Sequence, residues 1–227
     1  MQHHTRIKIC GLTREQDVDA AVDLGADAVG FVLWPGSPRY VTPARAAELI
    51  RRLPPFIMAV GLFVNAEPAE VDAAVAQAPL SALQFHSDES PVYCADAGLR
   101  LRRQILRAVR VTPELDLLEF GDAYQRAGCA GLLLDAWSEG YGGSGKTFDW
   151  ALLPETWKNG NGPRLVLSGG LHARNTAEAV MRVRPWAVDV SSGVEAAKGV
   201  KDSTKMAEFI AAVRAGDQAV QGAAQKA

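Results

Sequence analysis

Eight short apolar runs of strand type recur at spacings of about 25 residues, covering 7–10, 28–34, 58–64, 82–86, 104–109, 131–135, 165–168 and 187–191. Each leads into a loop marked by Gly or Pro and then a stretch with helical spacing, as at 13–24, 43–53, 68–77, 175–183 and 201–215. Thr42-Pro43 and Glu67-Pro68 are helix-start signals, because proline in the first turn forfeits no intrahelical bond. Eight strand and helix alternations in one chain predict a parallel sheet closed on itself, the (β/α)8 or TIM barrel of the α/β class. The competing open, doubly wound sheet normally has fewer strands and a Gly-rich turn after the first. Here the first strand runs into Cys10-Gly11-Leu12 instead.

The 227 residues match one such barrel near the lower end of its size range. No linker or change of composition marks a second domain, so 1–227 is read as a single domain, with the Gly/Ala/Gln-rich segment 216–227 as a fraying tail. An apolar content of 48% excludes a disordered chain. The 24 Lys and Arg against 26 Asp and Glu, net −2, point to neither a nucleic-acid surface nor a polybasic membrane patch. No apolar run approaches the roughly 18 residues of a membrane span, and the N-terminus lacks the apolar core of a signal peptide. The expected compartment is the cytoplasm. The one basic run, Arg100, Arg102, Arg103, Arg107 and Arg110, has no interleaved aromatics and reads as helix and strand-end surface, with Arg107 alternatively facing the barrel mouth. Cys10, Cys94 and Cys129 form no CxxC pair, and His3, His4, His86 and His172 have no metal-ligand spacing. Neither a metal nor a cofactor is expected.

Residues two apart share a strand face. That rule pairs Lys8 with Cys10, Gln84 with His86, Leu133 with Asp135 and Asp189 with Ser191. First and last strands of a closed barrel are neighbours, so Lys8 and Asp189 are candidates for a buried ion pair. Cys10, His86, Asp135 and Ser191 fall at the carboxyl ends of strands, the active face of this architecture. A thiol and a carboxyl converging there suit base and acid in a proton transfer.

The turns Ser168-Gly169-Gly170-Leu171 and Ser191-Ser192-Gly193 follow the seventh and eighth strands, the recurrent phosphate site of such barrels, where small residues let backbone N–H groups approach an anion. Gly140 to Thr147 formally satisfies GxxxxGK[ST], yet Ala136 to Glu139 separate it from its strand and Pro154 cuts short any helix after it. A nucleotide site is therefore not read there; Gly143, Ser144, Gly145 and Lys146 are expected in a lid or anion-contacting loop. Two prolines extend the segment Pro35-Gly-Ser-Pro-Arg-Tyr-Val41, from which the fork of Arg39 would meet a carboxylate. Phosphate on one side and carboxylate on the other imply a small, doubly anionic substrate.

Read in order, Lys8-Ile-Cys-Gly-Leu-Thr13, Gly30-Phe31, Ser37-Pro-Arg-Tyr-Val41, Val60-Gly-Leu-Phe-Val-Asn65, Leu83-Gln-Phe-His86, Leu133-Leu-Asp135, Gly142 to Trp150, Ser168-Gly-Gly-Leu171, Asp189-Val-Ser-Ser-Gly-Val-Glu195 and Gly199-Val-Lys-Asp202 resemble the phosphoribosylanthranilate isomerases. The resemblance spans nearly the whole chain. It implies a (β/α)8 barrel acting in tryptophan biosynthesis, through an Amadori rearrangement of N-(5-phosphoribosyl)anthranilate to 1-(o-carboxyphenylamino)-1-deoxyribulose 5-phosphate. It implies Cys10 as general base, Asp135 as general acid, Arg39 on the anthranilate carboxylate, and Gly169, Gly170, Ser191, Ser192 and Gly193 around the phosphate. Asp135 would then have to start protonated, and Cys10 would need thiolate character supplied by a nearby cation or hydrogen-bond donor. The partner is a small phosphoribosyl substrate, and both a monomer and a homodimer stay open. Departures from the usual pattern at Ser87, Ala136 and His172 bear on substrate positioning. Related phosphate-binding barrels of the tryptophan or histidine pathway, and a non-catalytic phosphosugar-binding barrel, are the alternatives; Cys10 opposite Asp135 suits none of them.

Overall fold

Alternate residues of each strand go to two different environments, and this division determines where the chemistry can lie. The computed structural model describes residues 4–136, 147–158 and 161–224. Strands β1 (Arg6–Cys10), β2 (Ala28–Val32), β3 (Met58–Phe63), β4 (Ala82–Phe85), β5 (Gln104–Val111), β6 (Gly131–Ala136), β7 (Leu165–Leu167) and β8 (Ala187–Val190) form a closed parallel barrel in chain order. Closure is made by β1, which pairs with both β2 and β8 and sets Lys8 opposite Asp189. Helices α1 (Glu15–Asp23), α2 (Pro43–Ile50), α3 (Pro68–Gln77), α4 (Pro91–Leu101), α5 (Leu117–Arg126), α6 (Glu155–Lys158), α7 (Ala173–Val183) and α8 (Ser203–Ala224) occur in the intervals and after the last strand. Thr42 caps α2 by accepting from the Arg45 N–H, and proline stands in the first turn of α2, α3 and α4.

Ile7, Ile9, Val29, Phe31, Leu83, Phe85, Leu132 and Leu134 belong to the large core between barrel and helices. The opposite parity holds a small apolar cluster of Ala108, Leu133, Val166 and Ala187, joined across β5 to β8 by the strand register. Toward the strand ends that parity turns polar, through Lys8, Cys10, Gln84, Asp135, Ser168 and Asp189, all buried. After β8 the chain makes a short 3-10 turn, Ser192–Val194, and an antiparallel hairpin of β9 (Glu195–Ala197) and β10 (Val200–Lys201) that returns to the mouth.

Two expectations need correction. The segment expected to fray from Gly216 is helical to Ala224, because α8 continues through it. Its Asp217 is buried and accepts from the N–H of Thr5 at 3.1 Å and from the Thr5 hydroxyl at 2.7 Å, joining the last helix to the first strand. Gly216 is there for contact: a Cβ would lie 2.7 Å from Cβ of Val180, so its absence lets α8 settle on α7. Arg107, in turn, does not face the mouth. It has the outward parity of Val109, lies over the rings of Phe120 and Tyr124 in α5, and donates to the carbonyls of Phe85, Ser87, Glu89 and Ala108. Its task is to fix the loop after β4. Among the described residues, no helix is long and apolar enough to cross a membrane.

Candidate active site

One cavity at the carboxyl end of the barrel is lined by Cys10, Arg39, His86, Asp135, Gly169, Gly170, Ser191, Ser192 and Gly193, nine of the twelve residues singled out from the sequence. The other three, Gly143, Ser144 and Gly145, lie outside the described residues, as does Lys146.

Cys10 ends β1 with its thiol buried. Its neighbour across the sheet is Gly30, where a Cβ would stand 2.7 Å from Cys10 Sγ and 3.1 Å from Lys8 Nζ, so the missing side chain makes room for both. Lys8 Nζ donates to Asp189 Oδ1 at 2.8 Å, the ion pair that alternation suggests. Ser168 Oγ donates to the other oxygen of Asp189 at 3.3 Å. Burial opposes the charge of Lys8, but Asp189 and Cys10 outweigh it and hold the ammonium well above its usual range. For Cys10, burial pushes the thiol up; the charge and hydrogen bond of Lys8 and the charge of Lys201 draw it down, Asp189 pushes it further up, and the balance stays above the ordinary value. The cation expected beside Cys10 is present, yet in the free protein it does not overcome desolvation.

Asp135 projects from the end of β6, and its Oδ1 accepts from the Ala136 N–H at 2.9 Å. Its Oδ2 meets His86 Nε2 at 3.1 Å, and His86 Nδ1 meets Gln84 Nε2 at 2.9 Å. Gln84 is wholly buried, and its carbonyl Oε1 has no partner among the described residues. Strand alternation pairs Gln84 with His86 on one face but assigns the glutamine no task.

Gly169 and Gly170 have φ of +80° and +63°. A Cβ at Gly169 would meet the Ala136 N at 2.3 Å, and one at Gly193 the Leu171 carbonyl oxygen at 1.9 Å, so both turns require the bare backbone. Asn175 fixes the first turn by donating to the Gly170 carbonyl at 3.0 Å and accepting from the His172 N–H at 2.9 Å. The turn opens directly into the N-terminus of the eleven-residue α7. Small turns beside a helix N-terminus favour an anion.

Arg39 differs from its expected state. Its fork is already closed on a carboxylate of the chain itself: Nε donates to Glu195 Oε1 at 2.7 Å and Nη2 to Oε2 at 2.8 Å. Lys201 donates to Glu195 Oε1 at 2.9 Å and to the Ser191 carbonyl at 3.0 Å. Glu195 is lowered in pKa although burial works against it, because Arg39 and Lys201 both favour its charge. Both Glu195 and Lys201 come from the hairpin after β8, and no sequence pattern assigns either an individual role. Trp34, Leu62 and Val64 add apolar wall to the cavity.

Fold and site together define a (β/α)8 enzyme of the phosphate-binding type, with a thiol and a carboxyl at one mouth. The model of the N-(5′-phosphoribosyl)anthranilate (PRA) isomerase family matches residues 7–212. Curated N-(5′-phosphoribosyl)anthranilate isomerases from Dechloromonas aromatica and Methylibium petroleiphilum are 57% and 58% identical to this chain, each over 95% of it and 99% and 97% of their own lengths. The crystal structure of the phosphoribosyl anthranilate isomerase from Thermotoga maritima has a TM-score of 0.84 at 41% identity, covering 93% of this chain and 99% of that one. A second solved isomerase, in complex with reduced 1-(o-carboxyphenylamino)-1-deoxyribulose 5-phosphate, has a TM-score of 0.81 at 37% identity over the same shares. A third solved chain, equal in those three measures, is described as a monomer generated from the dimeric Thermotoga maritima isomerase. The present chain belongs to the N-(5′-phosphoribosyl)anthranilate isomerase family.

Proposed function

We propose that this isomerase converts N-(5-phosphoribosyl)anthranilate to 1-(o-carboxyphenylamino)-1-deoxyribulose 5-phosphate with Asp135 as acid and Cys10 as base. The observation that carries the assignment is that Cys10 and Asp135 line one cavity together with the glycine turns after β7 and β8. The phosphate sits against Gly169, Gly170, Ser192 and Gly193 and anchors one end of the substrate. The anthranilate ring lies against Trp34 and the aliphatic wall. Its carboxylate takes the Nη1 edge of Arg39, the edge that Glu195 leaves open.

Asp135 gives its proton to the furanose ring oxygen as the C1′–O4′ bond breaks, which leaves the open-chain protonated Schiff base. Cys10, as thiolate, then removes the C2′ proton and the electron pair moves to form the enolamine. Loss of the 2′-hydroxyl proton and protonation at C1′ complete the ketone. Lys8 stabilises the thiolate that burial opposes. The cytoplasm is the compartment in this reading.

The test forms the substrate in situ from anthranilate and phosphoribosyl pyrophosphate with a transferase and follows loss of its fluorescence. Cys10→Ala and Asp135→Asn are expected to lose at least about 100-fold in kcat. A rate near wild type in either variant overturns that residue's role.

A further inference from the structure

Gln84 is polar where its neighbours toward the middle of the barrel are apolar. The same lumenal parity carries Ala108, Leu133 and Val166, yet at Gln84 a wholly buried carboxamide leaves its Oε1 without a partner among the described residues. An unpaired buried carbonyl is a cost that packing alone would remove by putting leucine there. The compensation lies at the other end of the amide, 2.9 Å from His86 Nδ1.

A neutral imidazole has one N–H and one bare nitrogen, and the partners it meets decide which nitrogen is which. Gln84 Nε2 can only donate, so with the carboxamide in this orientation Nδ1 accepts and a neutral His86 carries its proton on Nε2. That N–H points at Asp135 Oδ2, 3.1 Å away, while the Ala136 N–H is on Oδ1 at 2.9 Å. Both oxygens of Asp135 therefore meet a donor when the group is a carboxylate.

We propose that Gln84 is a positioning residue that locks His86 as the Nε2–H tautomer, so that His86 stabilises the carboxylate left on Asp135 after proton transfer. This rests on the reading of Asp135 as the acid. When the proton passes from Asp135 to the ring oxygen, negative charge develops on the carboxyl, and the hydrogen bonds from His86 and Ala136 strengthen as it does. They act on the product of the transfer more than on the neutral acid, which is how a donor pair lowers a barrier. In the other tautomer a bare Nε2 would face a carboxylate and repel it. The unpaired Oε1 is the consequence of turning the donor end of the amide toward the imidazole.

The experiment records the side-chain nitrogen signals of histidine in ¹⁵N-labelled protein, with His86 assigned by the signal lost in His86→Gln. Wild type is expected to show a bare Nδ1 and a protonated Nε2. Gln84→Leu, with no donor, is expected to release the tautomer and to lower kcat about 10- to 100-fold, the effect of one hydrogen bond to a charged group, with KM changed less than about 3-fold. Gln84→Met serves if the leucine variant does not fold. A wild-type spectrum with the proton on Nδ1, an unmoved tautomer in Gln84→Leu, or a moved tautomer with wild-type kcat each overturns the proposal. An active Asp135→Asn would instead remove the acid assignment, and the wild-type tautomer would still be readable.

Discussion

Removing the charge of Lys8 is the most direct probe of the electrostatics at Cys10, the proposed base. Lys8 Nζ and Cys10 Sγ lie 3.1 and 2.7 Å from one point, the position a Cβ on Gly30 would take, so they are less than about 6 Å apart. At an effective dielectric of about 20, unit charges at that separation attract by about 3 kcal/mol, equivalent to about two pKa units on the thiol. Lys8→Met should raise the Cys10 pKa by about that much and cut the thiolate population at fixed pH about 100-fold. Asp189 complicates the single variant, because its buried charge loses its cation and itself disfavours the thiolate. Lys8→Met with Asp189→Asn removes both charges and should give a pKa between those of wild type and Lys8→Met, since the attraction lost exceeds the repulsion lost. The assay is alkylation by iodoacetamide against pH, read by mass spectrometry on the Cys10 peptide so that Cys94 and Cys129 do not contribute. An unchanged or lower Cys10 pKa in Lys8→Met would refute the electrostatic argument, whatever happened to turnover.

Because burial holds the Cys10 thiol above its ordinary value, its rate of alkylation in the free protein should climb with pH through neutrality and beyond the ordinary thiol value of about 8.5; a plateau reached below that pH would contradict burial as the dominant effect. Gly30→Ala brings a Cβ within 2.7 Å of Cys10 Sγ. It should reduce kcat about 100-fold through misplacement of the thiol, with about 1–3 kcal/mol of stability lost in denaturant melts, and a folded variant within about 3-fold of the wild-type kcat would refute it. Asp217→Ala removes the carboxylate that accepts from the N–H and hydroxyl of Thr5 and should cost about 2–4 kcal/mol, or about 5–15 °C in Tm, with kcat unchanged. An unshifted melting curve would show that α8 gains nothing from that contact.

The barrel is legible because its signal is local and repeated. Each strand carries its own apolar run, and parity alone puts Lys8 near Asp189 once the sheet closes. Parity fails where a strand's extent is misjudged: with β5 ending at 109, Arg107 is a strand-end residue, whereas the strand runs to Val111 and Arg107 sits within it on the outward face. The tail is misread for a different reason. Gly216 disfavours an isolated helix, and its benefit exists only where Val180 of α7 comes against it. Alternation puts Gln84 on the face of His86 but not beside Asp135, and nothing local joins Glu195 to Arg39, 156 residues earlier in the chain, because those partners are reached only after folding.

The charges at the mouth also explain how a chain of net charge −2 can hold a doubly anionic substrate. Lys8 is matched one to one by Asp189, and that pair is neutral toward a ligand. Among the described residues, Glu195 alone faces both Arg39 and Lys201, so this cluster retains one positive charge after pairing. Burial makes the excess count for more than it would on the surface, where salt screens it. The cluster stands beside the turn of Ser191, to whose carbonyl Lys201 is bonded, and on the same side as Cys10, whose thiolate Lys201 favours. The unmatched cation of this cluster thus stands beside the Ser191 turn and favours the Cys10 thiolate, without giving the rest of the surface an attraction for polyanions.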